Sequence, residues 1–370
     1  MSDPMSDPMS DPIYVPALPA RPNGLVAYGA LTPDVRAVVT PLWTVPPRAG
    51  GARTRRKGAL HRPDPDPLAL VGHLRTVLHR MVGVQCGRPA WVDVRHAEGE
   101  PRHLLAEFRS LLVRTPLRPV TGVERDARQQ EASAEVARAS GNGLGLRVSP
   151  QDLPHERLRD AVGSLLERIA FARCPVDLLL DLGAVDEDHR DPSRTALRAL
   201  DALGSLHPWR TVVLLAGAFP ETHPRGYGAP LTETYRTDRF LPDLLRRAVG
   251  RQGAHPVHGD YGAHDPASAD RVSDTGPDPF RGALRYTTAR TFLVGEVPAG
   301  PDHHVTVRRL AREIVASPDF RGAGYSAGDR WLSTCADGRG PLGTGHPDAW
   351  ICAGHAQHLT HVARELRRHS

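Results

Sequence analysis

Short apolar runs that stop at a polar residue or a glycine recur along this chain, and most are followed by apolar residues at helical spacing. The runs are Tyr14 to Leu18, Thr40 to Val45, Ala90 to His96, Leu117 to Val123, Gly143 to Ser149, Val176 to Gly183, Thr211 to Gly217 and Pro256 to Gly262. Between them, Val71, Leu74, Leu78 and Met81 fall on one helical face, as do Leu104, Leu105, Phe108 and Leu112. The same spacing joins Leu158, Val162, Leu165 and Ile169, then Leu197, Leu200 and Leu203, then Leu241, Leu244, Leu245 and Ala248. Asp126 to Ser140 is Ala-rich and reads as a further helix.

Alternating strands and helices predict a parallel sheet covered by helices. Eight strands over this length predict a closed (β/α)8 barrel, a TIM-barrel-like single domain with C-terminal α/β additions. The rival is an open doubly wound sheet, but "PARPNG" after the first run is not its glycine fingerprint. The run "VDLLLDLG" is informative. Side chains alternate along a strand, so Val176, Leu178, Leu180 and Leu182 face the helices, and Asp177, Leu179 and Asp181 face the interior. Asp181 then stands at the C-terminal end of its strand, where barrels of this kind carry their sites. Asp177 lies deeper and is expected to be structural.

Two polar stretches interrupt the pattern, Gly50 to Pro67 and His264 to Phe280. They divide the chain into a disordered repeat tail over 1–12, a barrel over 13–280 and an elaboration over 281–370 whose last helix completes the barrel. The tail reads "MSDP" three times, without the basic and apolar regions of a secretory signal. No apolar stretch approaches the roughly eighteen residues of a membrane span. The cysteines, Cys86, Cys174, Cys335 and Cys352, have no C-x-x-C spacing, and the first two are expected to be small buried thiols. A reducing, cytoplasmic setting follows. The net charge is +5, carried almost wholly by arginine, which is weak support for nucleic-acid binding. The cluster Arg53, Arg55, Arg56 and Lys57 lacks interleaved aromatics and reads first as a solvated loop.

Laid side by side, "YVPAL", "LTPDVRAVVTPLWTVPP", "WVDVRH", "VDLLLDLG", "WRTVVLLAGAFP", "HGDYGAHDP", "LRYTT", "GYSAGD" and "GHAQHL" resemble the "beta protein" family, named for a phage protein and common in bacteria. The resemblance covers nearly the whole chain. It departs at "PARPNGLVAYGAL", where the family has a Lys-rich, Glu-containing stretch, and at Glu296 in "FLVGEV". It implies the barrel, a cytoplasmic context and a link to phage–host conflict, and it implies no reaction.

Polar residues at predicted strand ends are the candidates for chemistry. Asp181, Asp260 and Asp93 are candidate catalytic residues, with Arg95, Arg147, Arg285, Tyr261, Tyr286 and Glu124 as candidate substrate-binding residues. Asp181 and Asp260 could divide acid and base roles or hold a divalent cation through oxygen ligands. Arg147 and Arg285 could grip an anionic group bidentately. Buried Asp–Arg pairs of this kind are also common structural networks. His358 and His361, at i and i+3, could share a metal, but no H-E-x-x-H is present and no third ligand stands out. Ser326 in "GYSAGD" lacks the context of a nucleophile turn. Two functions are expected. One is a hydrolase or lyase acting on a small phosphorylated or other anionic ligand. The other is a non-catalytic module that recognises a phage-related protein or nucleic acid. Unpaired carboxylates at an open mouth would favour the first, and carboxylates each locked to an arginine beneath a closed mouth the second.

Overall fold

The computed structural model describes residues 12–47, 67–97, 102–151, 155–169, 174–185, 191–220, 231–241, 256–266, 280–338 and 343–369. The tail before residue 12, the basic cluster at 53–57 and most of 264–280 therefore lie outside the described residues. So does the predicted helix beyond Leu241.

The first half of the chain builds the barrel wall in sequence order. β1 (Tyr14–Pro19) leads through α1 (Pro22–Gly29) and α2 (Pro33–Arg36) to β2 (Leu42–Thr44). Then come α3 (Pro67–Gln85), β3 (Ala90–Asp93), α4 (Arg102–Leu112), β4 (Leu117–Thr121), α5 (Ala127–Ser140) and β5 (Leu144–Val148). α6 (His155–Arg168), β6 (Val176–Ala184), α7 (Pro192–Leu203) and β7 (Thr211–Gly217) follow. A short strand, β8 (Thr232–Tyr235), leaves the wall, and β9 (Val257–Asp260) returns to it. The ring closes where β9 pairs in parallel with both β7 and β1, with Tyr14 opposite His258 and Val15 opposite Gly259. This is the closed eight-stranded barrel that the alternation predicts.

Five of the eight barrel strands are shorter than the predicted runs, β7 matches its run, and β1 and β6 extend one residue further. Ala90 to His96 ends as a strand at Asp93 and turns through a 3-10 helix over Arg95–Ala97. β8 was not foreseen. Its four residues lie partly exposed at the edge of a second, antiparallel sheet, so the buried-run signal of the barrel strands is missing. That sheet comprises β8, β10 (Phe280–Thr287) and β11 (Thr291–Pro298) in the order β10-β11-β8. α8 (His303–Ala316), α9 (Ala327–Asp337) and α10 (Pro347–His369) complete this C-terminal unit.

Apolar residues sort into layers by strand parity. Val15, Ala17, Leu42, Trp91, Val120, Leu179, Val213, Leu215 and Tyr261 fill the barrel interior. Leu178, Leu180 and Leu182 pack outward against α6 and α7 residues such as Leu165 and Ala199, as predicted for this strand. A third layer joins the outer faces of β1 to β4 to α1, α3 and α4, and includes Leu359, Val362 and Ala363 of α10. The last helix thus covers β1. The C-terminal unit has its own core around Leu284, Tyr286, Leu310, Ile314 and Trp350, while Ala283, Phe292 and Val294 pack with the wall residues Leu214 and Ala216. Of the cysteines, Cys86 is exposed and Cys174 half-buried, so the expected buried thiols are not found there, and all four are free.

Candidate functional site

At the base of the barrel Asp177 is fully buried and points inward. It accepts hydrogen bonds from Trp91 Nε1 at 2.9 Å and Arg210 Nε at 2.7 Å, and it is 3.5 Å from Arg118. Three donors from three strands or their flanks make it a structural clasp, as expected from its depth.

The opposite, C-terminal end carries a second network. Arg147, inward on β5, bridges two carboxylates. Its Nη1 donates to Asp93 Oδ2 at 2.8 Å, and its Nε and Nη2 donate to Asp181 Oδ2 at 2.9 and 2.6 Å. Arg125 Nη2 reaches Asp93 at 3.2 Å, and the Arg95 backbone N–H donates to Asp93 Oδ1 at 3.0 Å. Tyr261 donates its hydroxyl to Asp181 Oδ1 and receives Arg147 Nη2 at 3.2 Å. Gly183, at φ +63°, turns its N–H back onto Asp181 Oδ1 at 2.8 Å. Burial raises the Asp93 carboxyl pKa, but the Arg125, Arg147 and Arg95 charges outweigh it and hold the group below its ordinary value. Burial and the Asp181 charge raise the Tyr261 phenol well above its ordinary value, so it stays protonated as a donor. Asp93, Arg147, Asp181 and Tyr261 are all at most 5% exposed, so the network plugs the barrel beneath its mouth.

Asp260 does not join them. Tyr261 points inward, so its neighbour Asp260 points outward, towards the C-terminal unit. Tyr14 donates its hydroxyl to Asp260 Oδ1 at 2.6 Å, and the Gly262 N–H donates to the same atom at 2.8 Å. His358 of α10 donates from Nε2 to Asp260 Oδ2 at 2.9 Å, and its Nδ1 pairs with Thr287 Oγ1 at 2.8 Å. Burial raises the Asp260 carboxyl, yet His358 and His258 draw it well below its usual range. The expected pairing of Asp181 and Asp260 at one mouth, as acid and base or as cation ligands, is therefore not formed. The barrel wall stands between them.

Above the plug, the C-terminal unit closes over the mouth. Pro266 sits against Gly217 at the end of β7, and a side chain there would collide with Pro266 and Tyr261. Thr237 donates to the Val185 carbonyl at 2.6 Å. Gly262, at φ +65°, lies under His355 of α10, and the Ala263 N–H donates to His355 Nδ1 at 3.3 Å. That bond leaves the His355 proton on Nε2. His264 packs edge-on against both Tyr261 and His355, with ring centroids 6.3 and 5.3 Å away. Neither of its ring nitrogens has a partner among the described residues, although both are buried. Burial and the nearby Arg285 charge lower its pKa to about 3, so the ring is neutral at pH 7. Arg285 lies over the Phe219 ring at 5.5 Å. Its Nε and Nη1 are buried without an acceptor among the described residues, and burial alone lowers its pKa to about 10.

Of the predicted residues, Asp93, Arg147, Asp181 and Tyr261 thus come together. Arg285 lies at the same end of the barrel, on the cap side, and Asp260 on the outer wall. Arg95 contributes its backbone to the network and is half-buried. Glu124 stands at the rim, 45% exposed, 3.0 Å from Arg125 Nε. Tyr286 is not at the mouth. One residue along from Arg285, it faces the core of the C-terminal unit, donating to Asp329 Oδ1 at 3.0 Å. Nor do His358 and His361 form a shared metal pair, because both ring nitrogens of His358 are engaged. Ser326 is an N-cap, accepting from the Asp329 N–H at 3.0 Å. Sequence reading missed His258, His264, Asp238 and Arg125. His258 was legible, since it lies two residues from Asp260 on the same strand face. The others are brought in by loops and by the 3-10 turn Thr237–Phe240.

Fold and site together define a (β/α)8 barrel whose C-terminal mouth is plugged by an Arg–Asp network and roofed by an appended α/β unit. The chain belongs to the Beta protein family, whose model matches residues 14–364. No curated protein matches. Among solved structures, a mutant tryptophan synthase α-subunit from the hyperthermophile Pyrococcus furiosus is similar at 13% identity and a TM-score of 0.37, over 68% of this chain and 86% of that one. The YdjI aldolase of Escherichia coli K12 is similar at 9% identity and a TM-score of 0.39, over 96% and 89%. The carboxyl transferase domain of Rhizobium etli pyruvate carboxylase is similar at 11% identity and a TM-score of 0.37, over 96% and 62%. No helix among the described residues is long and apolar enough to cross a membrane.

Proposed function

We propose that the roofed mouth binds a small anionic ligand, a phosphate ester or a carboxylate, with Arg285 as its counter-ion and His264 beside it. The observation that carries this reading is the Arg285 guanidinium, which has two buried N–H groups and no acceptor among the described residues. Arg285 is half-buried as a residue, but two buried N–H groups of a cation without acceptors are costly, and folds keep them where a ligand supplies the missing partner. An arriving anion would also offset the Arg285 charge, which after burial is the largest cause of the lowered His264 pKa, and would move that pKa upward. The reaction class this fits is a hydrolase or lyase acting on a phosphorylated or otherwise anionic substrate.

One observation favours the second reading, a non-catalytic recognition module. Asp93 and Asp181 are each locked to Arg147, which leaves neither free as a general base.

Thermal melts of the wild type and of Arg285→Met test the proposal. The ligands are inorganic phosphate, a sugar phosphate, a nucleoside monophosphate and a dicarboxylate. One class is expected to raise the wild-type midpoint by several degrees at saturating concentration, and to have no effect on the variant. Without ligand the variant should melt at or above the wild-type midpoint, because it loses two buried N–H groups that have no acceptor among the described residues. No response in the wild type, together with a strongly destabilised variant, would make Arg285 structural and leave the recognition module.

A further inference from the structure

A second cluster lies behind the barrel wall and uses none of the residues assigned to the anion. His258 and Asp260 project from the outer face of β9. Asp238 comes from the 3-10 turn Thr237–Phe240, which follows β8 in the C-terminal unit. One ligand atom of each lies within 4.8 Å of the others, and His258 Nε2 is 3.7 Å from Asp260 Oδ2. Ligand atoms around one Zn2+ stand roughly 3.3–3.6 Å apart, given metal–ligand bonds of about 2.0–2.2 Å at tetrahedral angles. All three residues are buried, Asp238 and Asp260 at 1% exposure.

The two carboxylates differ in how they are satisfied. Asp260 has three donors, from Tyr14, Gly262 and His358. Asp238 Oδ1 is buried and has no donor among the described residues. Arg236, whose charge acts on Asp238, is engaged through Nη1 with the Thr288 carbonyl at 3.0 Å and Glu365 at 3.3 Å, and its buried Nε makes no hydrogen bond to Asp238 or to any other described residue. An acceptor this deeply buried and without a donor needs a cation or a proton. Around it the remaining parts of a metal centre are in place. His258 is held by stacking on Tyr14, with ring centroids 5.8 Å apart. His358 orients Asp260 from behind and is itself fixed by Thr287, the arrangement by which outer-sphere partners hold a ligating carboxylate.

We propose that Asp238, His258 and Asp260 bind a divalent transition-metal ion, Zn2+ by ligand type and number, which clasps the C-terminal unit to the barrel wall. One nitrogen and two carboxylate ligands suit Zn2+ better than Ca2+ or Mg2+, which take oxygen ligands in larger number. The clasp joins β9, the strand that closes the ring, to the turn after β8, the segment that leaves it. Metal binding here is therefore coupled to seating the roof over the mouth.

The test uses the untagged full chain, stripped with EDTA and dialysed. Zn2+ is expected to bind at one equivalent per chain and to raise the melting midpoint. Co2+ is expected to give visible d–d bands that Zn2+ quenches. Asp238→Asn and His258→Gln should each weaken Zn2+ binding at least 100-fold, whereas Arg285→Met should leave it unchanged, so this site and the anion site fail or stand separately. If either cluster variant does not fold, wild-type stoichiometry and the Co2+ spectrum decide alone. No stoichiometric Zn2+ and no Co2+ bands would overturn the proposal. In that case Asp238 is either protonated or paired with Arg236.

Discussion

Arg147 and Arg285 show what the same side chain does with and without a partner. Arg147 neutralises two carboxylates with one fork; burial lowers its own pKa, but Asp181 and Asp93 outweigh it and hold the guanidinium well above the ordinary value. Arg147→Ala would leave Asp93 and Asp181 buried with one fewer cation. Removing one member of such a network costs about 3–5 kcal/mol, mostly from the charge left behind. The urea midpoint of Arg147→Ala should fall accordingly, with an unchanged m-value. The triple change Arg147→Met, Asp93→Asn, Asp181→Asn should recover part of the loss, because it removes the stranded charges as well. A single variant as stable as the wild type would mean water enters the network. At this scale the sequence was legible where strand parity was applied and misleading where it was not. Parity placed Asp177, Leu179 and Asp181 inside the barrel, and the structure agrees. Asp260 and Tyr261 were both assigned to the mouth, yet adjacent strand residues point to opposite faces, and only Tyr261 reaches the interior.

The barrel strands announced themselves as elements because burial on both sides demands continuous apolar runs. The closing helix of the roof was legible too, but the contacts that seat the roof were not, since they depend on residues with no periodic signature. α9 and α10 cross where Gly328 meets the Ala353 carbonyl, and a Cβ on Gly328 would lie 2.1 Å from that oxygen. Neither helix can yield cheaply. α9 is pinned by its Ser326 cap, and α10 is anchored through Gln357, which exchanges 2.8 Å hydrogen bonds with both backbone groups of Thr287. Gly328→Ala is therefore expected to destabilise by about 1–3 kcal/mol. Gly324→Ala, with open space around its Cβ, should stay within about 0.5 kcal/mol of the wild type. Equal urea midpoints for the two variants would show that the helices can slide apart. Glycine at the crossing was visible in the sequence only as part of "GYSAGD". Its role depends on a helix twenty-five residues further on.

At the scale of the whole molecule, the roof is seated on histidines held neutral by burial, and this sets how stability depends on pH. Burial lowers the His264 pKa to about 3 and the His361 pKa to about 2, and it takes His355 well below its ordinary value. In the unfolded chain these rings titrate near 6.5. Between the two limits the unfolded state binds protons that the folded state refuses, so stability is complete above about pH 6.5 and declines as pH falls towards 3. Each such histidine contributes about 1.4 kcal/mol per pH unit inside that window, so His264 and His361 together give about 3 kcal/mol per unit. Asp93 and Asp260 have lowered pKa values, and their stabilisation is lost only below about pH 4. Asp238 and Asp329 are raised by burial and act in the opposite sense as pH falls, which offsets part of the histidine slope. The expected result is a free energy of unfolding that drops steeply from pH 6 to pH 4.5, before most carboxylates titrate. Urea melts at half-unit intervals measure that slope. His264→Phe, which cannot take up a proton, should make it shallower by about 1.4 kcal/mol per unit. A flat profile down to pH 4.5, or an unchanged slope in His264→Phe, would mean that the rings under the roof are protonated in the folded state. The roof would then be open to water and held by something other than neutral histidines.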